Sequence, residues 1–261
     1  MMKRLAKRIL QVAPTKKLVI LGYHRIREHQ TIGADTPETL RRHVDTLLNL
    51  GYHFATVRQL VEWCFRPAKL TAVLTFDDGY QDFYYIIAPI LQQYGIRATV
   101  FVVAGYVDTD RVFDWIETPE IPLDYVLTSE QLRDLCRQGF EIGSHTVNHP
   151  DLTTVSDTVL RYELKESKEM LESIVGLPVV SFCYPRGFYD KRAMSLLKDA
   201  GYQAAVVSRF STGVPHPWVP RNTPFDLARI YPYSDPEGFR RQLSVGCEVF
   251  QYLSYALRGF R

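Results

Sequence analysis

The sequence predicts an α/β fold, a parallel sheet covered by helices. Strand-like and helix-like segments alternate through at least six β-α steps in 261 residues, and that alternation marks a parallel sheet. No sign of a second domain interrupts it, so residues 18–261 read as one domain behind a basic tail, residues 1–17. Six steps in one domain suit a closed barrel. An open doubly wound sheet shares the alternation, and periodicity alone does not decide closure.

The elements follow in order. Leu18–Tyr23 is a short apolar strand. Residues 37–50 carry Leu40, Val44, Leu47 and Leu48 on one side and stop near Gly51, the pattern of a helix. Residues 56–64 read as a shorter helix capped by Thr56, and 70–76 as a strand. A helix over 83–94 ends before Gly95, and the β-branched run 98–103 is a strand. Residues 105–127 show no period. Thr128 and Gln131 form a capping box that opens a helix over 128–137. Strand 140–143, helix 155–175 closed by Gly176, strand 179–182, helix 190–200 closed by Gly201 and strand 204–207 complete the alternation. The tail, 239–260, reads as a helix broken around Gly246.

Composition narrows the function. Hydrophobic residues make up 46% and charged residues 23%, which excludes disorder. A net charge of +2, from 31 basic and 29 acidic residues, gives no case for nucleic acid. Cys64, Cys136, Cys183 and Cys247 form no Cys-x-x-Cys pair and read as free thiols, with a structural bridge left open. Gln11, Pro14, Thr15, Lys16 and Lys17 interrupt the N-terminal apolar run, so no signal peptide is expected. No apolar stretch approaches the roughly 18 residues of a membrane span. The expected location is cytoplasmic or peripheral to the inner leaflet. Leu5, Ile9 and Val12 among Lys3, Lys7 and Arg8 fit weak membrane-surface contact, or simply a frayed tail.

Four clusters carry chemistry, each at a strand end, where α/β enzymes keep their sites. Asp77 and Asp78 precede Gly79 and Tyr80; adjacent side chains point differently, so one carboxylate can bind a cation while the other faces substrate. His145 and His149 are four residues apart and share a face if the segment makes a helical turn. Two imidazoles and one carboxylate are a common zinc set with a position open to water. Cys183-Tyr184-Pro185-Arg186-Gly187 offers a guanidinium for a carboxylate and backbone N–H groups for an oxyanion. Tyr23-His24 ends the first strand, where His24 could protonate a leaving amine. Each cluster also has a plainer reading, as a cap, a turn or a packed histidine. His29, His43, His53 and His216 read as surface or packing residues. Among the aromatics of 105–127, Tyr106, Phe113, Trp115 and Tyr125 either face a substrate or anchor the loop.

Together these motifs resemble the polysaccharide deacetylase family, the NodB-homology enzymes. Thr75-Phe76-Asp77-Asp78-Gly79-Tyr80 matches its first motif and His145-Thr146-Val147-Asn148-His149 its second. Cys183-Tyr184-Pro185-Arg186-Gly187 stands in place of its Arg-x-Pro-Tyr element. The resemblance implies a distorted (β/α)7 barrel that removes N-acetyl groups from a polysaccharide or glycan. It implies Asp77 as general base and Asp78, His145 and His149 as ligands of a divalent metal, with Zn²⁺ the first choice and Co²⁺, Ni²⁺ or Mn²⁺ alternatives. Arg186 follows the proline instead of preceding it, and its pairing with Asp77 is inferred. No C-terminal Leu-x-His element is present. The early Tyr23-His24 is similar to the permuted order of the poly-N-acetylglucosamine deacetylases, which implies His24 as general acid. Tyr184, Tyr80 and Trp115 are the expected substrate and oxyanion contacts. The rivals are an O-acetyl esterase, another sugar amidase and an inactive carbohydrate-binding barrel. Neither the glycan nor the oligomeric state is legible.

Overall fold

A computed structural model describes residues 16–29, 34–208 and 223–244. The tail 1–15, His216, Cys247 and the residues beyond 244, where the sequence predicts a helix to 260, lie outside them. The chain runs β1 (Leu18–Tyr23), β2 (Arg25–Ile26), β3 (Ala34–Asp35), α1 (Pro37–Asn49), β4 (His53–Ala55), α2 (Val57–Glu62) and β5 (Thr71–Phe76). A wide π-type stretch, Phe83–Ile87, leads into α3 (Ala88–Gln93). Then come β6 (Thr99–Val102), α4 (Ser129–Arg137), β7 (Glu141–Ser144), α5 (Asp157–Val175), β8 (Ser181–Cys183), α6 (Lys191–Asp199), β9 (Ala204–Ser208), β10 (Leu227–Arg229) and α7 (Pro236–Gln242).

The parallel sheet has the order β1-β5-β6-β7-β8-β9-β10, with β4 alongside the start of β5. A parallel bridge from Leu21 to Ile230 returns the last strand to the first. The Gly22 N–H donates to Ile230 O at 3.0 Å, and the Ile230 N–H to Ile20 O at 2.9 Å. The result is the distorted seven-stranded barrel expected. Ile20, Val73, Phe101, Cys183 and Val206 fill its interior. Their alternates, among them Leu21, Leu74 and Val102, pack outward against helix residues such as Leu40, Leu47 and Leu160. Burial on both faces is why the strands read as continuous apolar runs.

Local chemistry sets the helix ends. Thr56 with Gln59, and Thr128 with Gln131, form reciprocal capping boxes. Gly176 closes α5 in the left-handed conformation (φ 68°). The last helix begins at Pro236, capped by Asp235, three residues before the expected start. Below the barrel, buried Glu141 accepts from Thr99 Oγ1 (2.7 Å), the Arg58 N–H (2.8 Å) and Ser181 Oγ (2.6 Å). It thereby ties three strands to the first turn of α2. Cys64, Cys136 and Cys183 are free thiols. None of the described helices is long and apolar enough to cross a membrane.

His43 of α1 is a packing residue. The Tyr23 hydroxyl lies 3.0 Å from its Nδ1, and its Nε2 lies 3.1 Å from Tyr233 O. Both bonds are made by one neutral tautomer, with Nε2–H donating and Nδ1 accepting. Burial pushes the imidazole down to about 4, against a smaller opposing effect of the Tyr233 bond. The unfolded chain therefore takes up a proton near 6.5, where the folded chain does not. Stability present above that value is lost as pH falls towards 4. Between pH 7 and 5 the loss is about 2 kcal/mol. Urea midpoints at the two pH values should show a smaller drop for His43→Gln than for wild type; equal drops would remove His43 from the acid response.

Candidate active site

Past the end of β5 the chain turns sharply. The Asp77 N–H donates to Tyr23 O at 2.9 Å, prolonging the ladder. Asp78 (φ 68°) and Gly79 (φ 75°) are then both left-handed. A Cβ on Gly79 would stand 3.0 Å from Val102 Cα, so the turn needs glycine there. This break sends the two buried carboxylates into different surroundings.

Asp78 faces the histidines. Its Oδ1 lies 3.5 Å from His145 Nε2 and 3.6 Å from His149 Nε2. The segment between the histidines is not a helical turn: Thr146 and His149 both have positive φ. Buried Glu163 of α5 holds it instead, accepting from the Val147 and Asn148 N–H groups (2.8 and 2.9 Å) and from Asn148 Nδ2 (2.8 Å). The imidazoles still converge, with ring centroids 4.8 Å apart.

These three groups fit a cation. The His145 ring lies 2.7 Å from Cys183 O through Nδ1, so Nδ1 carries the proton and Nε2 is a bare lone pair. Burial keeps that ring neutral, against the pull of Asp77 and Asp78. Burial, with His145 and Arg186 nearby, pushes His149 down to about 2. Two neutral imidazoles and a carboxylate oxygen thus face one another, an arrangement that a cation resolves. A tetrahedral zinc ion with ligands at about 2.0–2.1 Å holds its ligand atoms roughly 3.3 Å apart, close to the spacing here. A second grouping, Asp77, His145 and Cys183, does not fit, because Arg229 already contacts both Asp77 and Cys183.

Asp77 is clamped. Arg229 Nη1 donates to Oδ1 and Nη2 to Oδ2, each at 2.6 Å. Further contacts reach Thr75 Oγ1 (3.0 Å), Cys183 Sγ (3.2 Å) and the Tyr231 hydroxyl (3.3 Å). Burial pushes the Asp77 carboxyl up, but the charge and hydrogen bonds of Arg229 override it and hold the group below the usual carboxylate range. A Cβ on Gly22 would stand 3.0 Å from the Tyr231 ring and 3.5 Å from Arg229 Cζ, so Gly22 leaves room for both.

The expected pairing of Arg186 with Asp77 is therefore corrected. Arg186 sits in the Pro185–Gly187 turn after β8, in left-handed conformation (φ 56°) and exposed. Arg229 sits on β10, inside the barrel, and takes both oxygens. β10 was not legible as a strand: it has three residues, one of them charged. The alternation of Phe225, Leu227 and Arg229 was the only trace of it.

His24 reaches the same rim. Its Nε2 lies 3.8 Å from Asp77 Oδ2, its side chain is 41% exposed, and its ring stacks on Tyr231 at 5.7 Å. Tyr184 anchors its hydroxyl to Phe225 O (3.0 Å), while its N–H reaches Val206 O over 3.4 Å, a weak bond.

The aperiodic segment divides by exposure. Tyr106 and Phe113 are buried and stacked at 4.5 Å, anchoring the loop. Trp115 stacks on Phe113 (4.5 Å, 8°), lies 4.8 Å from the His149 ring and remains 45% exposed. Its Nε1–H donates to the Tyr80 hydroxyl (3.1 Å). The half-buried Tyr125 adds backbone, accepting the Gln81 N–H (2.8 Å). Arg27 braces this rim from within, bonding Asp82 (2.5 Å) and Asp124. His24, Asp77, Asp78, Tyr80, Trp115, His145, His149, Tyr184 and Arg186 all line one cleft of about 760 Å³. Sequence reasoning missed Arg229, Tyr231 and the bracing Glu163.

The chain is similar to known proteins in sequence and fold. Residues 66–205, just over half the chain, match the polysaccharide deacetylase family. The Bacillus subtilis protein YxkH, itself classed among polysaccharide deacetylases, is 27% identical over 195 residues, 74% of this chain and 64% of its own. A Bacillus cereus peptidoglycan-N-acetylglucosamine deacetylase is 27% identical over 57% of this chain and 61% of its own. The chain thus spans less than two thirds of either relative. The Streptococcus pyogenes deacetylase PplD, solved with acetate, superposes with a TM-score of 0.69 at 25% identity, over 88% of this chain and all of that one. With the family match covering more than half its length and the Asp-Asp and His-x-x-x-His elements meeting in one cleft, the chain belongs to the polysaccharide deacetylase family.

Proposed function

We propose that the chain hydrolyses the N-acetyl amide of an acetylated glycan, releasing acetate and a free amine. The observation that carries this reading is Asp77, clamped by Arg229, beside the convergent Asp78, His145 and His149 in an open cleft. Asp78, His145 and His149 would hold one divalent cation, zinc before cobalt, nickel or manganese. When bound, it polarises the amide carbonyl and makes water more acidic.

The remaining work falls to side chains. Asp77, kept ionised by Arg229, accepts the proton of the attacking water as the new C–O bond forms. The Tyr184 N–H, weakly committed to Val206, turns to the developing oxyanion. His24, as imidazolium, gives its proton to the amide nitrogen as the C–N bond breaks. Both metal-binding imidazoles are unsuited to that step, because their Nε2 atoms face the cation site. Trp115 and Tyr80 border the cleft, with the exposed indole face open to a sugar ring. Acid supply from the first strand supports kinship with the permuted poly-N-acetylglucosamine deacetylase subgroup.

Acetate release from N-acetylated and O-acetylated forms of one glycan tests the reaction. Acetate from the amide is expected. Acetate from the ester alone would make the chain an esterase, and none from either would defeat the proposal. In the same assay His24→Ala should lose about 10²- to 10⁴-fold in kcat/KM on the amide. An aryl acetate, which leaves without protonation, should restore part of it. Near-normal amide turnover by His24→Ala would place the acid elsewhere.

A further inference from the structure

Arg186 is left without a task once Arg229 takes Asp77. Its backbone is left-handed (φ 56°, ψ 7°), a conformation that disfavours a residue with a Cβ. Strain of this kind is held by surrounding structure and clusters at ligand clamps. Here the turn is fixed on both sides. The Gly187 N–H donates to Tyr184 O at 2.9 Å, and the Phe188 N–H to Pro185 O at 3.0 Å. The turn therefore fixes the backbone of residue 186 at the lining of the cleft.

The charges around the cleft isolate this guanidinium. Arg229 is neutralised by Asp77, and Arg25 lies 3.4 Å from Asp124. Asp78 is turned towards the two histidines. Among the described residues, Arg186 has no carboxylate partner, yet it is exposed and lines the cleft with His149 and Trp115. A neutral sugar gives such a group only weak hydroxyl contacts. A carboxylate or phosphate matches its planar fork with two charge-assisted hydrogen bonds.

We propose that Arg186 selects an anionic glycan: the acetamido sugar, or the residue next to it, carries a carboxylate or phosphate that Arg186 binds at the cleft mouth. The inference rests on the deacetylase reading. Arg186 acts here as a specificity residue and takes no part in proton transfer.

The test compares three acetamido oligosaccharides of equal length: a neutral N-acetylglucosamine oligomer, one bearing 3-O-lactyl carboxylates and one bearing phosphates. Acetate release gives kcat/KM for wild type, Arg186→Ala and Arg186→Lys. Wild type should favour one anionic substrate over the neutral one by about 10- to 100-fold, the range of a charge-assisted hydrogen bond. The preferred substrate identifies the anion. Arg186→Ala should bring the ratio close to one, chiefly through KM, and Arg186→Lys should recover part of it. Added salt should narrow the wild-type preference. Equal kcat/KM on all three substrates, or a preference that survives Arg186→Ala, would overturn the inference and leave the deacetylase reading standing. No acetate from any of them would overturn the deacetylase reading itself.

Discussion

Asp77→Asn is expected to lower kcat by about 10²- to 10⁴-fold, the worth of a general base, while the protein still binds its cation. The two carboxylates are neighbours in sequence but not in surroundings. Asp78 turns through a left-handed residue towards His145 and His149, at 3.5 and 3.6 Å. Asp77 gives both oxygens to Arg229 and leaves that cluster to the other three groups. An amide in place of the carboxylate keeps the shape and one acceptor, but cannot take a proton from water. Single-turnover acetate release, with metal content measured on the same sample, separates the roles. Loss of metal along with activity would show that Asp77 is itself a ligand.

Arg229→Met should be the most destabilising single change in the cleft. It strands the Asp77 charge in a site where that residue is 3% exposed. Breaking a buried pair from one side typically costs about 3–5 kcal/mol. The unpaired carboxyl would also rise from its depressed range, because burial pushes it up once the guanidinium is gone. The deficit should therefore be largest near neutral pH, where the stranded carboxylate is ionised, and should shrink as falling pH protonates it. The double variant Arg229→Met, Asp77→Asn removes the stranded charge and should regain part of the loss, a coupling that denaturant midpoints of the four proteins would measure. Additive losses, or a larger loss from Arg186→Met, would contradict the pairing.

Much of this architecture was legible because its signals are local. Thr128 and Gln131 announce a helix start three residues apart, Gly176 a helix end, and the apolar run of β1 a strand. The Asp pair and the His pair were legible because each lies within a few residues of a strand end. Arg229 was not, since its partner Asp77 stands 152 residues away and β10 offers only Leu227, Ala228 and Arg229. Arg186 drew the role instead because it lies within a motif, where a sequence places it but a backbone does not. Its left-handed turn is set by Pro185, Gly187 and the end of β8 together. The aromatic segment could be read for composition but not for division. That Phe113 is buried while Trp115 stays exposed follows from how the loop folds back on Tyr80 and Gln81. Closure of the barrel, too, depends on one bridge between Leu21 and Ile230, two residues that no local pattern connects.

Asp78, His145 and His149 are proposed to hold one divalent cation together. Elemental analysis of wild type, Asp78→Asn and His149→Ala, purified identically and equilibrated with zinc, tests it most directly. One tightly held equivalent is expected in wild type and little or none in either variant, each still folded by circular dichroism. Full, tight metal content in both variants would contradict the assignment.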